Sequence, residues 1–210
     1  MSVPIPATAA LRPTIGGAVI PYINVRLADG GVDFRSHHTA RSAACYSGQR
    51  CQLCGSPLRQ PIVFLASADA LRALLFDEPP LHPECARYVT KVCPVVAGHR
   101  THHAAGPPLA ARHRGQTCPE PDCDCGGWVQ KPDAYDGPAR PALPWFAVYV
   151  NHYEPASYTD TPDVVTAAIC TPADVLKVMQ VSAPGEGGMW LRVADPTAEY
   201  VPPVTTTGGA

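Results

Sequence analysis

Two short cysteine-containing motifs restrict what this 210-residue chain can fold into. Cys51 and Cys54 form a C-x2-C pair, and His82 and Cys85 form an H-x2-C pair, with 27 residues between the two pairs. Zinc prefers four nitrogen or sulfur ligands in a tetrahedron, which two pairs of this spacing can supply. Gly55 permits a tight turn after the first pair, and a helix beginning at His82 places the second pair on one face. The sequence therefore predicts a Cys3His zinc site.

The residues around the two pairs predict the fold class. "QPIVFLAS" (60–67) indicates a buried strand, and Ser67 can cap a helix over 68–76 whose leucines recur at helical spacing. "HPECARYVTKV" (82–92) predicts a second helix with Pro83 at its first position. A cysteine turn followed by a helix whose first turn carries the last two ligands is the treble-clef arrangement. We therefore predict an α+β fold with a treble-clef-like zinc site.

The two motifs also have two alternative interpretations. Cys54 and Cys85 could be small buried hydrophobes, with His82 simply starting a helix. A redox dithiol is the other alternative, but a thioredoxin-type pair should open a helix. Here the pair runs into "GSPL", which forbids that helix, and a structural metal is favoured.

The rest of the chain predicts a loop-rich molecule. Pro (25) and Gly (17) make up a fifth of the residues and only 16% are charged, so long helices should be few. Ser36 is available to cap a helix over 36–46, after a turn at 28–31. Strands are predicted over 16–27, 145–153, 163–169, 174–182 and 189–195.

Composition divides the chain into five parts. We predict a flexible N-terminal arm, a zinc-site α+β core, a Gly/Pro/His-rich insertion with loops and cysteines, a β-rich C-terminal part packing on the core, and a disordered tail. Their boundaries are 1–15, 16–98, 99–144, 145–196 and 197–210.

The insertion contains a second cysteine cluster, Cys118-x4-Cys123-x-Cys125. Three thiols in a stretch too poor in hydrophobes to fold alone suggest a second zinc site. His113 is the candidate fourth ligand, and His99, His102, His103 or Cys93 could replace it. The alternative is a flexible acidic loop with exposed thiols.

The remaining cysteines bear on the cellular compartment. Cys45 and Cys93 could be spare ligands, although buried free thiols are favoured, and Cys170 in an apolar strand should be core. The N-terminus does not resemble a signal peptide, and no apolar run could span a bilayer. We therefore expect a cytoplasmic protein without membrane contact, in which nine cysteines favour metal over disulfides.

A run without acidic residues follows the second pair. Between Arg87 and Arg114 the chain has five Arg or Lys and four His, which could face nucleic acid. The cations concerned are Arg87, Lys91, Arg100, Arg112 and Arg114. A solvated loop that is basic by chance is the alternative, and a protein partner is also open. Residues 151–210 are acidic, with 2 Lys or Arg against 7 Asp or Glu. A third possibility is therefore a structural or assembly role, in which this acidic part of one chain packs on the basic run of another copy.

His37 and His38 raise the question of catalysis. A histidine beside a treble clef is typical of His-Asn-His nucleases, in which it acts as general base. The only asparagines are Asn24 and Asn151, and no Asn or His pair follows on the 82–92 helix. We therefore favour an exposed helix start for the two histidines and predict no catalytic residue. A metal-dependent nuclease stays the alternative to a non-enzymatic binding protein.

Taken together, "PYINVRLADGGVDFR", "RCQLCGSPL" and "EPPLHPECARYVTKVCP" resemble a group of actinobacterial and actinophage proteins without an established activity. The resemblance covers roughly residues 16–98, with weaker similarity in the last third. It implies one domain and marks Cys51, Cys54, His82 and Cys85 as the matched metal positions. The "CPEPDCDCGGW" insertion lies outside the shared pattern.

Overall fold

The centre of the molecule is a four-stranded antiparallel sheet. The computed structural model describes residues 3–100, 102–105, 123, 128–130, 144–157, 165–182 and 191–193. The sheet consists of the strands β5 Ile62–Ser67, β8 Trp145–Val150, β11 Val175–Ser182 and β12 Leu191–Val193. Their order in the sheet is β12-β11-β8-β5. The strands of the last third therefore build one sheet with a strand that lies between the two cysteine motifs.

Alternation along β8 gives this sheet two buried faces. Trp145 and Tyr149 lie in the core cluster that also contains the cysteines of the first motif. Phe146 and Val148 point to the opposite face, which holds a second cluster. There Phe64 stacks on Phe76 with ring centroids 4.6 Å apart. The aromatic residues of this strand are therefore core residues.

Among the described residues, three α-helices accompany the sheet: α1 Thr39–Tyr46, α2 Ala68–Ala73 and α3 Pro83–Val92. Ser67 caps α2 as predicted, because its hydroxyl accepts a hydrogen bond from the Ala70 N–H at 3.2 Å. Leu74 then adopts a left-handed conformation that ends the helix earlier than predicted. Helix α3 begins with Pro83 and stops at Cys93, because the following Pro94 disfavours helical geometry.

Three smaller sheets complete the fold. One has the order β3-β4-β7, another the order β6-β10-β9, and β1 and β2 form a hairpin. Strand β7 comes from the segment predicted as an insertion and pairs with β4. The bounds are β1 Thr14–Ile15, β2 Ala18–Val19, β3 Asn24–Arg26, β4 Val32–His38, β6 Leu75–Phe76, β7 Trp128–Gln130, β9 Glu154–Ala156 and β10 Ala167–Ile169. Helices together with several small sheets make the fold α+β, as predicted.

The helix predicted over 36–46 begins later, at Thr39, and the proposed Ser36 cap is wrong. Ser36 lies inside β4, and its hydroxyl donates to Asp33 Oδ2 at 2.9 Å instead of capping a helix. His37 and His38 also belong to β4, and the exposure predicted for them is wrong, because His37 is buried and His38, which directly precedes α1, is half-buried. Pairing of β4 with both β3 and β7 satisfies its backbone groups and extends the strand through these residues.

The strand predicted over 16–27 is divided into shorter pieces. Gly16 and Gly17 both have positive φ, at 57° and 80°, and form the turn of the β1–β2 hairpin. Before this hairpin, in the segment predicted as a flexible arm, Ala9 is buried in the core. The disordered tail predicted over 197–210 lies outside the described residues. Within those residues, no helix has the length and apolar character needed to cross a membrane.

Candidate metal centre

The two sequence motifs converge in the folded chain. One ligand atom from each of Cys51, Cys54, His82 and Cys85 lies within 4.8 Å of all the others, and all four residues are buried. The cluster belongs to the hydrophobic core on one face of the central sheet. The arrangement could hold a metal ion such as zinc.

The first two ligands are presented by a tight turn. The Gly55 N–H donates to the Cys51 carbonyl at 2.8 Å, and the Cys51 N–H donates to the Ser56 carbonyl at 3.0 Å. Gly55 has φ +78°, a left-handed conformation that side chains other than glycine rarely adopt. Arg50 and Pro57 form an antiparallel bridge that closes the base of the turn. This geometry directs both thiols to one side of the turn.

The other two ligands come from the start of α3. His82 is the residue preceding the helix, and Cys85 follows in its first turn. Leu81 anchors this start to the sheet, because Val63 and Leu81 exchange backbone hydrogen bonds of 3.0 and 2.9 Å. The position of the second pair is therefore fixed by β5 as well as by the helix.

The separations between donors match a tetrahedral metal. His82 Nδ1 lies 3.5 Å from Cys54 Sγ and 3.9 Å from Cys85 Sγ. With Zn–S near 2.3 Å and Zn–N near 2.0 Å, tetrahedral angles require N···S separations of about 3.5 Å. The two N···S separations are thus close to those that a zinc ion requires, and the donor set is one that zinc prefers.

A hydrogen bond orients the imidazole of His82. Its Nε2 lies 2.9 Å from the Pro57 carbonyl oxygen, which can only accept. Nε2 therefore carries the proton, and Nδ1, which faces the sulfurs, is the nitrogen that could bind metal. A backbone carbonyl is a usual outer partner for a metal-binding histidine.

Three of the four candidate ligands have shifted pKa values, because the sulfurs and the imidazole lie close together. Hydrogen bonds from Cys51 and Cys85 lower the pKa of Cys54 far below its ordinary range, because they favour the thiolate. Hydrogen bonds with Cys51 and Cys54, together with burial, raise the pKa of Cys85. Hydrogen bonds with Cys51 and Cys54 raise the pKa of His82 to about 10. Because metal ligands must be deprotonated, a metal ion bound here would displace protons from the cluster.

A hydroxyl group outside the four ligands also reaches the cluster. Thr8 Oγ1 lies 3.4 Å from Cys85 Sγ, although the two residues are 77 positions apart in sequence. A hydroxyl can donate to a thiolate and tune its basicity. The sequence gives no signal for this contact, because it arises from packing of the N-terminal segment on α3.

The second predicted cluster is only partly described. Cys118, Cys125 and His113 lie outside the described residues, whereas Cys123 is half-buried against Val25 and Leu27. In the part of the chain that the structure describes, the first cluster is the only group of three or more candidate ligands around one point. A second zinc ion therefore stays a prediction.

The other cysteines behave as core thiols to different degrees. Cys45 and Cys170 are buried free thiols, as expected, and burial is the main cause that raises their pKa values. Cys93 is half-buried at the end of α3 and does not join the cluster.

The described cations of the basic run lie on the surface. Arg87 and Lys91 are exposed one turn apart on α3, and Arg100 is exposed beyond the end of the helix. Arg112 and Arg114 lie outside the described residues.

The chain shows no match when compared with protein-family models, with curated proteins and with solved structures.

Proposed function

We propose that this chain is a zinc-stabilised, non-enzymatic binding protein, in which Cys51, Cys54, His82 and Cys85 hold one structural zinc ion in a treble-clef-like arrangement. The observation that carries the proposal is the convergence of four buried donors within 4.8 Å of one another.

A structural role for the metal is favoured over a catalytic one. Catalytic zinc usually keeps one coordination position for water or substrate, whereas closed sites with four protein ligands stabilise folds. Here three thiols and one imidazole inside the core would supply all four ligands of a zinc ion. Function would then depend on the surface that the metal holds in place.

The surface proposed for binding is the outer face of α3 and the segment after it, and its proposed partner is nucleic acid. Arg87, Lys91 and Arg100 make no ion pair with any acidic side chain of the described residues. Uncompensated cations on a helix that the metal anchors suit contacts to phosphate groups. Arg112 and Arg114 would extend this surface.

Elemental analysis tests the metal. Purified protein should contain at least one zinc per chain, and Cys54→Ala should contain one fewer. Cys45→Ala is the matched control, because Cys45 is equally buried but lies outside the cluster. Equal zinc content in all three proteins would contradict the site.

A filter-binding series across salt tests the partner. Each phosphate contact contributes about −0.9 to the slope of log K against log salt on duplex DNA. The double variant Arg87→Gln/Lys91→Gln should bind more weakly and reduce the slope by about 2. Arg59→Gln, an exposed arginine outside the run, should leave it unchanged. Absence of any salt-sensitive binding by the wild-type protein would remove nucleic acid as the partner and leave a protein partner.

A further inference from the structure

A cavity of about 730 Å³ lies beside the metal centre, between α3 and the β3–β4 pair. Its size is within the range of pockets that hold small organic molecules. None of the four candidate metal ligands lines it, although Leu53 from the cysteine turn does. The cavity is therefore a separate feature from the metal site.

The walls of the cavity are mainly apolar. Helix α3 contributes Tyr88, Val89 and Val92, and the β1–β2 hairpin contributes Ile15 and Val19. Tyr88 is held in place because its hydroxyl accepts a hydrogen bond from the Val19 N–H at 3.0 Å. The helix and the hairpin are thus tied together across one wall, which favours a preformed site.

Two large hydrophobic side chains are exposed among the lining residues. Phe34 is 52% exposed and Ile15 is 43% exposed. Leaving such side chains in water forfeits roughly 25 cal/mol for each Å² of apolar surface. A ligand with an apolar body would remove this surface from water.

The charged lining comes from β4 and from the segments around it. It consists of Arg35, Arg100, Asp33 and Glu78, together with the titratable His37 and His103. Asp33 is almost fully buried, and its carboxylate accepts hydrogen bonds from the Ser36 hydroxyl and the Arg35 N–H at 2.9 and 3.0 Å. The lining therefore contains two guanidinium groups and two carboxylates, and the Asp33 carboxylate is held within its own strand.

Arg100 is the cation best placed to meet a ligand. It is exposed, and its side chain makes no hydrogen bond or ion pair with other described residues. Its backbone N–H donates to the Pro94 carbonyl at 2.9 Å, which fixes the turn that carries it. Guanidinium groups bind carboxylates with two parallel hydrogen bonds.

We propose that this cavity binds a small amphipathic carboxylate, with its apolar body between α3 and the β1–β2 hairpin and its carboxylate at Arg100. The site shares Arg100 with the surface proposed for nucleic acid, whereas its apolar lining does not depend on that surface, and it adds a small-molecule ligand to the proposed function.

Calorimetric titration of the full-length protein with decanoate and with decanol tests the proposal. Decanoate should bind saturably with one site per chain, at least about tenfold more tightly than decanol, because a charge-assisted hydrogen bond adds to the apolar contact. Arg100→Gln should remove this preference while leaving decanol binding unchanged. Since Arg100 is exposed, this variant does not endanger folding.

A second variant tests where the ligand lies. Ala18 lines the cavity and is half-buried, so Ala18→Trp should fill the space and abolish binding of both probes. Leu176→Trp at an exposed position of β11 is the control and should bind as the wild-type protein does. No saturable decanoate binding, equal affinity for decanol, or full binding by Ala18→Trp would each overturn the proposal. Displacement of decanol, which does not depend on Arg100, by a single-stranded oligonucleotide would assign the cavity to nucleic acid and overturn the proposal as well.

Discussion

The turn that carries Cys51 and Cys54 should tolerate no side chain at Gly55. Ala at this position must adopt the left-handed conformation, at φ +78°. That conformation costs about 1–2 kcal/mol for a residue with a Cβ. The added Cβ would also lie 2.8 Å from Cδ2 and 2.9 Å from Cγ of the Tyr22 ring, which is closer than real Cβ atoms approach.

The Tyr22 ring has little freedom to move away. Its backbone N–H donates to the Leu53 carbonyl of the same turn at 3.0 Å. The guanidinium carbons of Arg12 and Arg41 lie 5.7 and 6.0 Å from the centre of the ring. Overpacking of this kind costs about 1–3 kcal/mol, so Gly55→Ala should lose about 2–5 kcal/mol in total.

Gly30→Ala is the matched control for backbone strain. Gly30 has φ +81°, but a Cβ there meets nothing within 4 Å, so this variant should lose only the 1–2 kcal/mol of strain. Urea unfolding of both variants with saturating zinc measures the difference, provided that the slope m stays constant. The clash is absent from the double variant Tyr22→Ala/Gly55→Ala. The double variant should therefore lose less unfolding free energy than the sum of the losses in the two single variants. Equal losses in Gly55→Ala and Gly30→Ala would refute the role assigned to the ring.

Three further changes test other parts of the structure. Thr8→Val should lower the affinity for zinc about tenfold, measured in competition with a chromophoric chelator, because it removes the hydroxyl near Cys85. Thr8→Ser keeps the hydroxyl and should bind zinc as the wild-type protein does. Equal affinities of the two variants would contradict a role for the hydroxyl. Burial, followed by the charge of Asp174, raises the pKa of Cys170 to about 12, so the folded state favours the neutral thiol. Its stabilising contribution is complete below about pH 8.5 and is lost as the pH rises towards 12, at up to 1.36 kcal/mol per unit. The unfolding free energy should therefore fall less steeply from pH 8.5 to 10.5 in Cys170→Ala, and parallel curves would contradict this. Tyr153→Phe removes a hydroxyl donor that lies 2.8 Å from the Tyr46 carbonyl oxygen. The unfolding free energy, measured by thermal unfolding, should fall by about 1–3 kcal/mol. An unchanged transition would show that this hydrogen bond contributes nothing to stability.

The candidate ligands could be predicted from sequence because local geometry places each pair. A cysteine turn with Gly55 and a helix start with Pro83 each position two donors without help from distant residues. The cap of α2 was predictable for the same reason, since Ser67 acts on an N–H three residues away.

Contacts between distant segments could not be predicted in this way. Thr8 reaches Cys85 only after the N-terminal segment packs on the core. Ser36 has the composition of a helix cap, but pairing of β4 with β3 and β7 overrides that local preference. The hairpin turn at Gly16 and Gly17 did carry a sequence signal, because two adjacent glycines favour a turn that needs positive φ twice.

The distance along the chain between Cys54 and His82 has a consequence for the unfolded state. The two residues are 28 positions apart, and a zinc ion held by both would bridge that loop in the folded state. Closing a loop of this length in the unfolded chain would cost about 3.5 kcal/mol of entropy, so zinc would bind the folded state in preference. A disulfide depends on redox potential, whereas this cross-link would depend on the concentration of free zinc. Once zinc exceeds its dissociation constant, each tenfold increase would stabilise the fold by about 1.4 kcal/mol, so the fraction of folded protein would follow the metal supply.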